Sequence, residues 1–541
     1  MSRPTFPETF NMADYFLFDR LEEGLGEHTA LRFGERTWTY AEVADKTRRM
    51  AEVLDDCGLA PEQRVLICLP DVPAFAWSFF GVLHAGGVVA MANPLSPTES
   101  LAYLLEYTRA CVLITVPEVV ERLGTVIDES PWLSAVLVTP WAGTDEDPDG
   151  PLDETVLTPG LPDGPMRWHL PEALRSTEGD YEPFPTRRDD IAVWLFTSGS
   201  TGQPKAAVHT HRDFAFNTEV YAKRTIGWRR DDVCVSVPKL FFGYATGTNL
   251  MFPFAVGGTA ALFSERPTAE TVCEAVRRYQ ATILTNVPTM MGKILELDER
   301  TSVDLSSLRL CLSAGEALPP ALLERWQARF GVDVYDGIGS AEMFHIYISN
   351  RPGDVRPGSL GRVVEGYEAK ILPRDAEGPG AKPLPPGEVG TLWVKGDSVA
   401  LCYFGDRDKS WKTFHGHWCM SNDLFRQDED GYFYFAGRAD DLVKVSGQWV
   451  SPIEVEDCLL RHPAVLEAAV IGVDRGGLMS TKAFIVLKDG ASATAEEIQG
   501  FVKERLARYK YPREVEFVGS LPKNDRGKID RKALKARDAS S

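Results

Sequence analysis

The sequence predicts an α/β protein in which parallel strands alternate with helices along most of the chain. Residues 40–93 alternate helix-like and strand-like stretches, in the order TYAEVADKTRRMAEVLDDCG, RVLICL, VPAFAWSFFGVLHAG and GVVAMAN. This alternation is typical of βαβ units, whose parallel strands are covered by helices on both faces. Helix-like stretches such as 268–279 and 319–330 separate further strand-like runs, which are 191–196, 233–237, 281–285 and 308–313. We therefore expect two parallel-type sheets with helices.

The composition changes along the rest of the chain, and at 541 residues the protein is too long for one simple core. Between about 141 and 189 it is rich in Asp, Pro, Gly and Thr, which predicts a surface excursion joining two sheet-forming halves. From about 355, short strands broken by Gly and Pro predict a small β-rich subdomain. Apolar runs flanked by helix-like stretches then predict a small α+β domain. The expected division is a large domain, 1–439, and a small domain, 440–541.

The composition also excludes several classes of protein. The formal net charge of −20 argues against a nucleic acid or an anionic membrane as the main partner, because either needs an excess of Lys and Arg on one face. The first residues, MSRPTFPETFNMADYF, lack the pattern of a secretory signal, and no run of about 18 apolar residues is present. A cytoplasmic location is therefore expected. Nine scattered cysteines without a CxxC pair predict reduced core residues.

A stretch directly after the strand-like run 191–196 has the composition of a phosphate-binding loop. Residues 197–205, TSGSTGQPK, contain two glycines, four hydroxyl side chains and a lysine. Glycines let backbone N–H groups approach an anion, hydroxyls add donors, and lysine neutralises charge. An ordinary polar loop has a similar composition, so composition alone leaves both interpretations open. The order of residues does not satisfy GxxxxGK[ST], which disfavours a P-loop kinase or ATPase.

Four further stretches have residues suited to a nucleotide, a metal and an acid. Residues 313–317, SAGEA, end an apolar strand with small residues, against which a flat ring can lie. Residues 335–342, YDGIGSAE, end in a carboxylate suited to Mg2+ beside phosphates. Residues 416–423, GHWCMSND, end in a carboxylate that can accept two hydrogen bonds from a ribose diol. Residues 522–528, PKNDRGK, end in a cation that can hold a carboxylate against a phosphate. Taken singly, each is a common turn or a solvated charge.

Together and in this order, these stretches and residues 437–447, GRADDLVKVSG, resemble the motifs of the adenylate-forming superfamily. That superfamily contains acyl- and aryl-CoA ligases, peptide-synthetase adenylation domains and luciferases. The resemblance implies catalytic roles for Lys528, Glu342 and Lys205, with Glu342 also as the Mg2+ ligand. It implies that the nucleotide is bound by Thr197, Ser198, Gly199, Ser200, Thr201, Gly202, Ala314, Gly315, Glu316, Ala317, Asp336, Gly337, Ile338, Ser340, Asp423 and Arg438.

The resemblance also implies that the small C-terminal domain is mobile. Asp440 would be the hinge about which it rotates. Residues near it would line the path of the coenzyme A thiol, namely Lys444, Ser446 and Gly447. One position departs from the superfamily pattern, because Ala341 stands where a Thr usually contacts the α-phosphate. That contact is in doubt, and Ser340 or a water molecule is a candidate to replace it.

Within the superfamily, the chain is most similar to the benzoate-CoA ligase group, and the similarity runs nearly its whole length. The stretches that carry it are 239–244, KLFFGY, 337–346, GIGSAEMFHI, and 349–354, SNRPGD. The match implies a short flat pocket for the acid, with Phe242 near the access of the thiol; its residues are Phe242, Gly243, Tyr244, Gly315, Ile338, Gly339 and His345. Benzoate ligases commonly carry Ala at the position of Gly243. As a hypothesis, the missing methyl leaves room for a substituted ring.

The expected function is that of an aryl-CoA ligase, with ATP, Mg2+ and coenzyme A as cofactors. It would convert benzoate or a ring-substituted benzoate, such as 2-aminobenzoate or a hydroxybenzoate, to aryl-AMP and pyrophosphate, and then form the aryl-CoA. No protein nucleophile is needed for this chemistry. One alternative is an adenylating enzyme that loads a carrier-protein thiol, and another is a sensor that binds nucleotide and acid without turnover. The resemblance to the superfamily also suggests a homodimer.

Overall fold

The computed structural model describes residues 3–140, 152, 154–161, 164–198, 203–438, 443–445, 448–476, 479–488, 490–523 and 529–539. The first nine strands are β1 (Thr29–Phe33), β2 (Arg36–Thr39), β3 (Arg64–Ile67), β4 (Val88–Met91), β5 (Val112–Thr115), β6 (Ala135–Val138), β7 (Met166–His169), β8 (Ile191–Ser198) and β9 (Pro204–Thr210). The next seven are β10 (Val233–Ser236), β11 (Thr259–Leu262), β12 (Ile283–Asn286), β13 (Leu310–Ser313), β14 (Asp333–Gly339), β15 (Ile346–Ser349) and β16 (Arg362–Val363). The remaining strands are β17 (Glu368–Leu372), β18 (Gly390–Lys395), β19 (Phe414–His415), β20 (Trp418–Gln427), β21 (Phe433–Arg438), β22 (Val443–Val445), β23 (Gln448–Val450), β24 (Val465–Asp474), β25 (Met479–Leu487) and β26 (Glu514–Phe517).

Helices occupy most of the connections between these strands. The α-helices are α1 (Asp19–Glu22), α2 (Tyr40–Asp56), α3 (Pro73–His84), α4 (Thr98–Thr108), α5 (Pro117–Asp128), α6 (Glu154–Leu157), α7 (Leu170–Ser176), α8 (His211–Asn217), α9 (Gly243–Thr246), α10 (Phe252–Val256), α11 (Ala269–Tyr279), α12 (Pro288–Thr301), α13 (Pro320–Phe330), α14 (Arg407–Thr413), α15 (Pro452–Leu459), α16 (Ala495–Arg505) and α17 (Arg531–Ala539). Further π-helical stretches are Asp14–Phe18, Thr218–Ile226 and Gly247–Met251, and 3-10 turns are Ala341–Met343 and Arg508–Lys510.

The first sheet has seven strands in the order β7-β6-β5-β3-β4-β8-β9. All its neighbours are parallel except the antiparallel pair β8 and β9, which flanks the predicted phosphate loop. Strands β4, β5 and β6 are buried at every residue, as expected for parallel strands covered on both faces. All twelve residues of α3 are buried as well, so this helix lies inside the core.

Residues 141–189 are not the connection between two sheet-forming halves that their composition predicts. Strand β7 lies inside that stretch and pairs in parallel with β6 at the edge of the first sheet, and α7 follows it. The chain then returns to the same sheet through β8, so the stretch does not join two sheet-forming halves. The prediction was wrong here because four residues of strand are too few to stand out from a polar composition. Residues 141–151, 153, 162 and 163 of this stretch lie outside the description.

The second sheet has nine strands in the order β16-β15-β14-β13-β12-β10-β11-β1-β2. Its centre is parallel, whereas β2, β15 and β16 pair antiparallel with their neighbours at the two edges. Two mainly parallel sheets are therefore present, as the alternation of helix-like and strand-like runs predicts. The four predicted runs coincide with β8, β10, β12 and β13, and the two predicted helices coincide with α11 and α13.

Two smaller groups of strands follow. Strands β17 to β21 form a five-stranded antiparallel sheet, which confirms the predicted β-rich subdomain. After it, β22 pairs with β23, and β24, β25 and β26 form a three-stranded sheet with α15, α16 and α17 nearby. These last elements have hydrophobic clusters of their own. The predicted domain boundary between 439 and 440 lies outside the described residues, so it stays a prediction.

Two predictions from the composition concern the whole chain. All nine cysteines are free in the structure, and seven of them are buried, as expected of core residues; their reduced state stays a prediction. In the described part of the chain, no helix combines the length and the apolar composition needed to cross a bilayer.

Candidate active site

Part of the predicted site lies outside the described residues. These positions are Gly199, Ser200, Thr201, Gly202, Asp440, Ser446, Gly447 and Lys528, and the side chains of Ser198, Arg438 and Lys444. Their roles stay predictions. The other predicted residues lie in or directly after β8, β9, β13, β14 and β20, in α9 or directly before it, and in the turn that follows β14.

Strands β13 and β14 end side by side, and their last polar residues are neighbours. They are parallel, with Ser313 directly opposite Asp336, and ligands of α/β proteins bind beyond the carboxyl ends of parallel strands. Asp336 is buried, and this burial raises the pKa of its carboxyl to about 8. Hydrogen bonds from the Ser313 side chain and from the backbone N–H of Gly337 partly offset this rise in pKa.

The loop after β13 shapes the predicted nucleotide segment. Gly315 has a φ of 86°, in the region that favours glycine. The carboxylate of Glu316 accepts hydrogen bonds from the backbone N–H of Thr289 at 3.0 Å and from its hydroxyl at 2.8 Å. Thr289 lies in the first turn of α12, where exposed N–H groups need acceptors. Glu316 therefore stabilises the first turn of α12. Its contact with a nucleotide stays a prediction.

Glu342 lies in the 3-10 turn Ala341–Met343, directly after β14. Its Oε1 accepts a hydrogen bond of 2.7 Å from the Tyr403 hydroxyl, and its backbone carbonyl accepts one of 2.8 Å from the N–H of Ala400. Ala341 packs against a small cluster formed by Ala207, Ala400 and Tyr403. The position that usually holds Thr is thus used here for an apolar contact that supports Glu342.

A buried histidine and a carboxylate lie beneath this turn. Nδ1 of His209 is 3.0 Å from Oδ2 of Asp213, and Nε2 of His209 is 2.7 Å from the carbonyl oxygen of Ala341. The ring of His209 therefore bridges the Ala341 carbonyl and α8, which contains Asp213. Asp213 also accepts from the backbone N–H and the hydroxyl of Thr210. No sequence motif pointed to this pair.

Lys205 lies in β9, at the far side of the phosphate loop. Its ammonium donates to Oδ2 of Asp406 at 2.5 Å, and this hydrogen bond lowers the pKa of the Asp406 carboxyl. Oδ1 of Asp406 accepts from the N–H of Lys409 and caps α14. The predicted phosphate lysine therefore already has a carboxylate partner, which sequence reasoning missed.

Strands β20 and β21 bring together two residues that were predicted to bind the nucleotide. They pair antiparallel, with Asp423 directly opposite Arg438. Burial is the main cause of the raised pKa of the Tyr347 hydroxyl. The negative charges of Asp423 and Glu342 raise this pKa further. Asp423, in β20, and Glu342, in the turn after β14, are thus both close enough to Tyr347 for their charges to act on it.

The predicted acid pocket lies on the other side of the same turn. Nε2 of His345 donates to the carbonyl of Tyr244 at 3.0 Å, and burial lowers the pKa of His345 to about 3, so the ring is neutral at pH 7. Among the described residues, Nδ1 of His345 and the buried Tyr244 hydroxyl have no hydrogen-bond partner. The aromatic ring of Phe252 packs edge-on against His345. This side of the turn is apolar, with a few polar atoms available to a ligand.

The backbone around His345 is tightly constrained. A Cβ atom on Gly339 would lie 2.5 Å from the carbonyl carbon and oxygen of His345, so only glycine fits there. Phe344 has a φ of 68°, which is an outlier for a bulky residue. Its ring stacks on Phe214 with centroids 3.7 Å apart. Such strain is found at sites whose geometry must be held by the surrounding packing.

The space beside Gly243 is small. A Cβ atom there would lie 3.3 Å from Cδ1 of Leu195 and 3.6 Å from the carbonyl oxygen of Phe344. An alanine methyl would therefore be tight against Leu195, whose side chain would have to shift by a few tenths of an ångström. The hypothesis that the missing methyl leaves room for a substituted ring stays a prediction.

Buried charges fix the segment that leads into α9. Oδ1 of Asp71 accepts from the N–H of Leu240 at 2.8 Å, and Nζ of Lys239 donates to the carbonyl of Phe263 at 2.5 Å. Nζ of Lys239 is 4.0 Å from Oδ2 of Asp71, and burial lowers the pKa of this lysine to about 8. Asp71 follows β3, so this contact ties the acid pocket to the first sheet.

Comparisons with known proteins agree with this arrangement. The family model described as "AMP-binding enzyme" matches residues 18–404, and "AMP-binding enzyme C-terminal domain" matches residues 454–528. A benzoate-CoA ligase of Thauera aromatica is 40% identical over 535 residues, which cover 98% of this chain and 96% of that protein. The crystal structure of the anthranilate CoA ligase AuaEII in complex with anthranoyl-AMP is similar with a TM-score of 0.89 and 35% identity, over 100% of both chains. A benzoate CoA ligase from Burkholderia xenovorans is similar with a TM-score of 0.84 and 38% identity, over 97% of this chain and 100% of that one.

Proposed function

Because the chain belongs to the AMP-binding enzyme family, we propose that it is an AMP-forming aryl-CoA ligase that acts on benzoate or a ring-substituted benzoate. Full-length similarity to a benzoate-CoA ligase and to an anthranilate CoA ligase supports this substrate class. ATP, the aryl acid and coenzyme A are the proposed substrates.

One observation in the structure carries the proposal. The turn after β14 presents Glu342 on one side and, three residues later, His345 on the other. Glu342 accepts a hydrogen bond from the Tyr403 hydroxyl on the charged side, whereas His345 is neutral and lies among aromatic rings. A phosphate group and a flat aromatic acid held on the two sides of one turn are brought close together, as adenylation requires.

In the first step, a carboxylate oxygen of the acid attacks the α-phosphorus of ATP, and pyrophosphate leaves. The products are aryl-AMP and pyrophosphate. We assign Lys528 to hold the acid carboxylate against the phosphate, and Lys205 to neutralise phosphate charge. Asp336 and Asp423 are proposed to bind the adenine and the ribose, respectively. Asp336 is neutral at pH 7 because burial raises its pKa, so it can donate as well as accept.

In the second step, the thiolate sulfur of coenzyme A attacks the acyl carbon, and AMP leaves. Lys528 must then be out of the way, and rotation about Asp440 is the proposed means. After this rotation, Lys444, Ser446 and Gly447 line the path of the thiol. These roles are proposals, which rest on the resemblance of the motifs.

Mg2+ is proposed to be held by Glu342 together with the phosphates of ATP. Mg2+ commonly takes only one or two protein carboxylates and completes its shell with phosphates and water, so a single carboxylate fits it. When bound, the metal neutralises charge on the phosphates and on the departing pyrophosphate. In the described part of the chain, no group of three His, Cys, Asp or Glu side chains is placed to hold a metal by itself.

The pocket favours an acid with a small polar substituent. Gly243 carries no side chain beside the proposed ring position, and Nδ1 of His345 is an acceptor without a partner in the described part. An amino or hydroxyl group on the ring is small and supplies a donor. We therefore propose 2-aminobenzoate and the hydroxybenzoates as substrates alongside benzoate. The cytoplasmic location and the homodimer stay predictions from the sequence.

Pyrophosphate release with Mg·ATP tests the proposal. The acids to compare are benzoate, the aminobenzoates, the hydroxybenzoates, a cinnamate and short fatty acids, each with and without coenzyme A. We expect release that depends on an aryl acid, with aryl-CoA as the final product. A Lys528→Ala variant is expected to lose most of this release.

Other outcomes favour other functions. Aryl-AMP that accumulates in the presence of coenzyme A without thioester would favour transfer to a carrier-protein thiol. ATP binding without pyrophosphate release for any acid would favour a non-catalytic sensor. A much higher kcat/KM for unsubstituted benzoate than for every substituted acid would contradict the proposed role of Gly243.

A further inference from the structure

Residues 400–406, here called the crossing segment, link the β-rich sheet to the phosphate loop. The segment lies between β18 and α14 and runs antiparallel to β9, at the edge of the first sheet. The N–H of Leu401 donates to the carbonyl of Val208 at 2.8 Å, and the N–H of Val208 donates to the carbonyl of Cys402 at 3.0 Å. The N–H of Phe404 donates to the carbonyl of Ala206 at 3.0 Å. These backbone hydrogen bonds set the register of the segment against the strand that carries Lys205.

This register places one side chain of the segment on Glu342. Tyr403 is buried, its ring packs against Phe414, and its hydroxyl donates to Oε1 of Glu342 at 2.7 Å. The N–H of Tyr403 donates to Oγ of Ser410 at 2.9 Å, which fixes its backbone. A hydroxyl held in this way leaves Glu342 few orientations.

Three residues later, the same segment places a second side chain on Lys205. Asp406 accepts from Nζ of Lys205 at 2.5 Å through Oδ2 and from the N–H of Lys409 through Oδ1. The carboxylate is thus oriented by the helix that it caps. Lysine has a long flexible side chain, so an oriented partner reduces the number of positions that its ammonium adopts.

We propose that Tyr403 and Asp406 are positioning residues for the adenylation step, the former acting through Glu342 and the latter through Lys205. The proposal rests on the proposed function, because it assigns Glu342 and Lys205 to the phosphates of ATP. Tyr403 and Asp406 touch the two charged groups, and they act on the reaction only through them. One short segment therefore sets both groups at a fixed distance from each other.

Two conservative variants remove these contacts with little change in shape. Tyr403→Phe removes only the hydroxyl. Asp406→Asn keeps an oxygen that can cap α14 and removes the charge next to Lys205. We expect Tyr403→Phe to lower kcat for pyrophosphate release about tenfold and to raise the Mg2+ concentration needed for half-maximal activity, because a hydrogen bond to a charged group is lost. We expect Asp406→Asn to lower kcat about fivefold without raising KM for ATP, because the competing carboxylate is removed as well.

Double-mutant cycles separate positioning from a merely structural role. Positioning predicts that Tyr403→Phe has no further effect in a Glu342→Gln background, and that Asp406→Asn has none in a Lys205→Met background. Fully additive losses would overturn the proposal. The matched control is Tyr15→Phe, which removes another tyrosine–carboxylate hydrogen bond, between Tyr15 and Glu219, and should leave kcat unchanged.

The same cycles are also to be measured through the dissociation constant of Mg·ATP, which needs no turnover. Positioning predicts that Tyr403→Phe changes the affinity for Mg·ATP in the wild type and leaves it unchanged in the Glu342→Gln background. It predicts the same for Asp406→Asn in the Lys205→Met background. Such results would support the proposal even if no acid were turned over. Additive changes, or none, in these binding cycles would overturn it. Failure of the proposed function shows itself separately, as a wild type that binds Mg·ATP and releases no pyrophosphate with any acid.

Discussion

The two sides of the turn after β14 differ in whether their polar side chains carry a charge. On the proposed phosphate side, Glu342 is held by a tyrosine hydroxyl and Lys205 by a carboxylate. On the acid side, burial lowers the pKa of His345 to about 3, and its ring is neutral among aromatic neighbours. One turn therefore separates a region of paired charges, the proposed phosphate side, from a neutral and mainly aromatic region, the proposed acid side. A charged group needs partners, whereas a buried group without a charged partner stays neutral.

Removal of the charge on the phosphate side should have the largest effect. Glu342→Gln keeps an oxygen for the Tyr403 hydroxyl and removes the negative charge. We expect kcat for pyrophosphate release to fall about 100-fold or more, as is typical when a charged group at the reacting phosphates is lost. The melting temperature is the control for folding. Activity within threefold of the wild type would show that this side does not depend on the charge of Glu342.

A methyl group at the base of the turn should disturb both sides together. In Gly339→Ala, the new Cβ would lie 2.5 Å from the backbone of His345, so the turn has to shift. We expect a loss of stability of about 1–3 kcal/mol, measured by denaturant unfolding, and lower activity with every acid.

The matched control is Gly292→Ala, at a helical position of α12 where a Cβ meets nothing within 4 Å. It should stabilise the protein by about 0.5–1 kcal/mol and leave activity unchanged. Equal effects of the two substitutions would show that the tight contact at Gly339 is unimportant.

The pH dependence of stability should depend on the buried carboxyl of Asp336. Its pKa is about 8 in the folded protein and near the ordinary value of 3.8 in the unfolded chain. A raised pKa stabilises the folded state below about pH 4, and this contribution is lost as pH rises through about 8, because the unfolded chain has already released the proton. Asp336→Asn removes this dependence.

We therefore expect the variant to gain stability relative to the wild type by about 1 kcal/mol per pH unit between pH 4 and 8. Thermal unfolding of both proteins across this range measures it. A constant difference in stability would show that the carboxyl is ionised in the folded protein.

The smallest expected effect concerns the choice of acid. Gly243→Ala adds a methyl 3.3 Å from Cδ1 of Leu195, so Leu195 and the new methyl narrow the space beside the proposed ring position. We expect the ratio of kcat/KM for substituted benzoates to that for benzoate to fall about tenfold, since one methyl group in a pocket has an effect of this order. An unchanged ratio would place the substituent elsewhere in the pocket.

Local patterns in the sequence predicted much of the fold. The runs that became β8, β10, β12 and β13 are apolar and bounded by polar or turn residues, so a short window is enough to recognise them. Strand β7 was missed because its residues, MRWH, carry no such pattern and are strand only through their pairing with β6. The same contrast applies to the site: Glu342 and Asp336 lie in one short stretch with a recognisable order, whereas no motif marked His209 or Asp406.

The fold class and the order of the phosphate and nucleotide motifs can be read from residue types at short spacing, so the amino-acid sequence is sufficient to predict them. The groups that hold the site in place become visible only in the folded chain. Tyr403 and Glu342 are 61 positions apart, and Asp406 and Lys205 are 201 apart. Contacts over such separations are set by the pairing of the crossing segment with β9 and by the packing of two sheets, and no local pattern encodes that arrangement.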